Sequence, residues 1–143
     1  MRRVAGGSYT NIEPPMIIPA TPPVILVVAD QPLLRLAAVD LAEQAGFVAV
    51  TAGGACDALA MLDRRNDIDV VLADLDRPDD ALGAQLAASI ARRWPLIGVL
   101  VLTDRVDPIP VEAGSAITRP CADRVIIAAL QALNGSGSAG SGR

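Results

Sequence analysis

The chain contains no histidine. That absence excludes imidazole acid–base catalysis, histidine metal ligation and a phosphohistidine carrier. Aromatic residues are almost missing too, since Tyr9, Phe47 and Trp94 are the whole set. The core must therefore come from Ala, Val, Leu and Ile, a composition that suits a parallel sheet buried under helices on both faces. The two cysteines, Cys56 and Cys121, are too few for a disulfide framework or a zinc site and read as small thiols in a reducing cytoplasm. Long hydrophobic runs are also lacking. The longest, Val24 to Ala29, has a strand's length and falls far short of a membrane span. Glu13 and the prolines from Pro14 to Pro23 interrupt any signal-peptide core. The expected location is cytoplasmic, without membrane contact. A net charge of −4, with no cluster of basic residues, gives nucleic acid nothing to bind.

What is present is enough chain for one domain, at 143 residues, with a real core. Residues 1–22 are a Pro/Gly-rich tail and residues 134–143 a flexible Gly/Ser tail, leaving 23–133 as the folded unit. Within it strands and helices alternate. Val24–Ala29 is a buried strand ending at Asp30, and Pro32 suits the first turn of a helix carrying Leu34, Ala38, Leu41 and Ala45, which Gly46 stops. Phe47–Thr51 is a second strand. Ala55, Ala58, Leu59 and Leu62 follow helical spacing. Asp69–Ala73 is a third strand running into Asp74, and Leu82, Leu86 and Ile90 mark a helix that must end near Trp94, before Pro95. Ile97–Leu102 is a fourth strand and Ser115–Thr118 a fifth. Ile126, Ala129, Leu130 and Leu133 form a last helix with Asn134-Gly135 as its stop. Pro108, Pro110 and Gly114 leave room for at most one helical turn over residues 104–114. The alternation predicts an α/β fold: a three-layer, doubly wound, five-stranded parallel sheet of order 2-1-3-4-5 with a truncated fourth helix.

In such sheets ligands gather at the carboxyl ends of the strands, which here carry Asp30, Asp74, Thr103 and Arg119. A carboxylate can attack a phosphoryl group and hold it as an acyl phosphate. A second carboxylate helps hold magnesium, which prefers oxygen ligands. A hydroxyl and a cation can bind the remaining phosphoryl oxygens. Each residue has a plainer reading as well. Asp30 could be only a helix N-cap, Thr103 a strand-ending turn and Arg119 a solvated charge. Four matching roles, one per strand and in order, favour the chemical reading.

The stretch from Val24 to Leu133 resembles a response-regulator receiver domain of two-component signalling. Ile25-Leu-Val-Val-Ala-Asp-Gln-Pro-Leu-Leu-Arg35 is similar to the family's first strand, acidic cluster and first helix. Val70-Val-Leu-Ala-Asp-Leu-Asp-Arg-Pro78 resembles its phosphorylation strand, Val99-Leu-Val-Leu-Thr103 the strand with the switch hydroxyl, and Ile117-Thr-Arg-Pro120 the lysine–proline ending. The resemblance implies that Asp74 is the phosphoacceptor, assisted by Thr103 and Arg119, with Asp30, Asp74 and Asp76 about a weakly held Mg2+. It implies a sensor histidine kinase or phosphotransfer protein as donor, an output protein or domain downstream, and a signalling module rather than an enzyme. A second copy of the chain is a further candidate partner, through the last helix from Asp123 to Leu133.

Three departures stand out. The first of the family's two acids is Ala29, its lysine is Arg119, and its aromatic switch residue is Ala116. Arginine keeps the charge but replaces a compact ammonium by a planar fork. Asp76 has two readings, a compensating acid for position 29 or a solvated acid at the rim. Ala29 and Arg119 also leave open a pseudo-receiver, an interaction module that keeps the fold without phosphorylation. A small flavodoxin-like binding protein is disfavoured, because no glycine-rich phosphate loop follows the first strand.

Overall fold

The computed structural model describes residues 21–75, 82–104 and 114–141. Their elements run β1 (Val24–Ala29), α1 (Pro32–Gln44), β2 (Val48–Ala52), α2 (Ala55–Arg64), β3 (Val70–Asp74), α3 (Leu82–Arg93), β4 (Gly98–Thr103), β5 (Gly114–Thr118) and α4 (Asp123–Ser141). Among the described residues the five strands form one sheet in the order β2-β1-β3-β4-β5, every pair parallel. The predicted order is the observed one. The short crossover predicted for 104–114 lies, from 105 to 113, outside the described residues, and so does Asp76.

The sheet is buried on both faces, and the alternation of side chains sorts its residues into two cores. Leu26, Val28, Val71, Ala73, Val99 and Val101 meet Ala58, Leu62, Leu86, Ala87 and Ile90 of α2 and α3. Their neighbours Ile25, Val27, Val70, Leu72, Leu100 and Leu102 face Ala38, Leu41 and Ala42 of α1 and Ile126 and Leu130 of α4. Three layers result. The central strand β3 is buried from end to end, so Asp74 finishes it as a charged residue on an apolar strand.

Local chemistry sets the boundaries. Pro32 occupies the first turn of α1, where its missing N–H costs nothing. The N-cap is Gln31, which makes no side-chain cap bond, so Asp30 is not the capping residue of this helix. Gly46 takes φ +98° after the helix, the left-handed geometry that glycine adopts without strain. At the far end one expectation fails. The last helix does not stop at Asn134-Gly135 but runs on to Ser141. Glycine lowers helix propensity by only about 1 kcal/mol, and no proline follows to remove an N–H. Three turns already nucleated on Ile126 and Leu130 therefore propagate through it. No helix of the described residues is long and apolar enough to cross a membrane.

Candidate functional site

The parallel register delivers the site. Ala29 pairs with Asp74 across β1 and β3, and Thr103 pairs with Thr118 across β4 and β5. Asp30, Asp74, Thr103 and Arg119 thus end neighbouring strands along one edge of the sheet. Asp74 is only 3% exposed and Thr103 only 1%, the two polar or charged residues that are buried among the described residues. Asp30 is partly exposed.

Arg119 is the residue that joins the parts. Its backbone N–H donates to the Thr103 carbonyl at 2.8 Å, which extends the β4–β5 ladder by one bond and fixes where the side chain starts. Its Nη2 then donates to Asp74 Oδ2, and its Nη1 lies 3.5 Å from Asp104 Oδ1. The guanidinium therefore spans a buried carboxylate and one that is half exposed. Burial works to lower its pKa, but the hydrogen bond and charge of Asp74, with Asp104 behind them, more than offset this and raise it above the usual arginine value. The cation is permanent at any pH at which the protein folds.

Two contributors were not singled out in the sequence. Asp104 follows Thr103 directly, and its place one step beyond a strand end was the available signal. Arg35, on the first turn of α1, donates from Nη1 to the Ala29 carbonyl at 2.8 Å. Nothing in helical periodicity marks a partly buried arginine as reaching back to the preceding strand. At Ala116 no aromatic ring exists to couple Thr103 to the surface, and the position is exposed.

The response regulator receiver domain family model matches residues 25–131, most of the chain. The chain belongs to the response regulator receiver domains. No curated protein matches it in sequence. Among solved structures, the signal receiver domain of an HD domain-containing protein from Pseudomonas fluorescens Pf-5 is similar at TM-score 0.73 and 20% identity, over 89% of this chain and 98% of that one. A response regulator receiver domain protein from Clostridium thermocellum gives TM-score 0.66 and 21% identity over 80% and 95% of the two chains. A CheY-like receiver from Methanospirillum hungatei JF-1 gives 0.68 and 17% over 82% and 98%. At these identities the structures speak for the fold.

Receivers are signalling modules that use magnesium at this edge, and the residues present here fit that ion poorly. Position 29 is an alanine, fully buried, whose carbonyl takes an arginine. The Asp74 carboxylate takes another. Among the described residues no three acids or cysteines gather in a way that could hold a metal. The Arg119 guanidinium occupies a carboxylate oxygen that a hard cation would need as a ligand.

Proposed function

We propose that this receiver accepts a phosphoryl group on Asp74 from a sensor histidine kinase or phosphotransfer protein of the cytoplasm, and passes the signal on by binding an output protein or domain. The observation that carries this reading is the pairing of a buried, strand-ending carboxylate with Arg119. Burying a carboxylate is expensive unless it is paired, and an apolar residue would serve the core better. A nucleophilic role accounts for its retention. Asp74 supplies the attacking oxygen, and Arg119 the fork that suits phosphoryl oxygens. Thr103, beside Arg119 on the next strand, supplies a hydroxyl for the same group. Asp30, partly exposed at the end of β1, adds a second acid to the same edge. Leu33 and Leu36, exposed on α1 next to this edge, give an approaching donor protein apolar surface.

The test is incubation with acetyl phosphate followed by intact mass measurement. One added phosphoryl group is expected, absent from Asp74→Asn, whose fold is unchanged because the amide still meets Arg119. If wild type and Asp74→Asn gain the same mass, the acceptor lies elsewhere and the assignment of Asp74 fails.

A further inference from the structure

The chain has twelve basic residues and every one is arginine, with no lysine anywhere. Among the described residues, two of them sit on the edge that carries Asp74. Arg119 holds the Asp74 carboxylate directly. Arg35 holds the carbonyl of Ala29 at 2.8 Å, and Ala29 is the register partner of Asp74 on the adjoining strand. Strand alternation puts the Ala29 and Asp74 side chains on the α1/α4 face, the face from which Arg35 reaches in. The position that would bring a metal-binding acid is thus a methyl group, and the Asp74 carboxylate next to it is already paired with the Arg119 guanidinium.

We propose that the guanidinium of Arg119, supported by Arg35 one strand away, takes the place of a divalent cation in this receiver, so that Asp74 is phosphorylated without any metal ion. The inference rests on the reading of Asp74 as phosphoacceptor and adds the source of the counter-charge. A cation seeking Asp74 must displace a guanidinium from a carboxylate that water scarcely reaches, and it finds no acid at position 29 to compensate. A phosphoryl group faces no such obstacle, because it brings its own oxygens to the fork. In the transfer, an Asp74 carboxylate oxygen attacks the phosphorus of acetyl phosphate and forms the new P–O bond. The bond from phosphorus to the acyl oxygen breaks, and acetate leaves with that electron pair. The carboxylate charge passes to acetate, the phosphoryl charge stays on Asp74, and no proton is required. Negative charge gathers on the transferring oxygens, and Arg119, already within reach of Asp74, moves onto them. Asp104 behind it keeps the guanidinium oriented.

The experiment compares three things on the full chain: the rate of phosphorylation by acetyl phosphate with excess chelator, the rate with magnesium, and magnesium binding by calorimetry. For wild type the two rates are expected to agree within about twofold, with no saturable heat at millimolar magnesium. Arg119→Gln removes the charge and the reach of the guanidinium while leaving a polar side chain, frees the Asp74 carboxylate and should give saturable magnesium binding, while its rate in chelator falls at least about tenfold. Wild-type phosphorylation that requires magnesium overturns the inference and leaves Asp74 as acceptor. Saturable binding in wild type that is unchanged in Arg119→Gln overturns the competition between the two cations. A wild type that takes up no phosphoryl group under either condition overturns both the acceptor reading and the inference.

Discussion

At the scale of single residues, the Asp74–Arg119 pair ties the candidate site together. Arg119 is 27% exposed at its side chain while Asp74 is 3% exposed, so the two partners are unequally costly to lose. Arg119→Ala leaves a buried carboxylate without its cation. Breaking a fully buried pair costs about 3–5 kcal/mol, and partial solvent access to this one should reduce the loss to roughly 1–3 kcal/mol. Asp74→Asn keeps an amide oxygen that accepts from Arg119, which still has Asp104 beside it, and should cost less. Urea unfolding of the two variants checks the order, and equal losses would mean the pair is effectively solvated. Thr103→Val keeps the buried, branched shape and the backbone bond to Arg119 while removing the hydroxyl. We expect stability within about 1 kcal/mol of wild type, together with slower phosphorylation in the acetyl phosphate assay.

Elements were more legible in the sequence than their ends. Every strand and helix among the described residues was foreshadowed by apolar period, because a strand buried on both faces and a helix buried on one leave different spacings. Boundaries moved by a residue where the deciding event was a hydrogen bond rather than a side chain. The amide of Asp69 donates to the Val24 carbonyl while its own carboxylate accepts from the Val24 amide, so the acid serves the entry to β3 and the strand itself begins at Val70. Asn134-Gly135 misled for a related reason, since a stop signal is a preference and helix propagation can outweigh it. In the site, Asp74, Thr103 and Arg119 were legible because each ends a strand. Arg35 was not, because a side chain that folds back across a loop leaves no trace in period or spacing. One packing contact makes a prediction at this scale. A Cβ at Gly98 would lie 3.2 Å from the Leu133 Cβ, so β4 and α4 approach closely at that point. Gly98→Val should overpack the contact and lower stability by about 1–3 kcal/mol, seen as an earlier midpoint in urea.

For the molecule as a whole, the outer surface of α4 and the edge strand β5 are the faces we propose for a partner or a second copy. Asp123, Arg124 and Val125 are exposed at the start of α4, and Ser115 and Ala116 are exposed on β5. Reversing both charges at Asp123 and Arg124 should weaken any self-association measured by sedimentation, and an unchanged association would exclude this surface. Parallel strands also give the molecule two unlike poles. Asp74 lies at the carboxyl pole. At the amino pole, Thr21, Pro22 and Pro23 lead into β1 and line an open cleft of about 1060 Å³ together with Arg93, Trp94 and Asn134. The polypeptide thus enters β1 on the side remote from Asp74. A fluorophore joined at Thr21 would ride on that remote side and leave the edge that carries Asp74 uncovered.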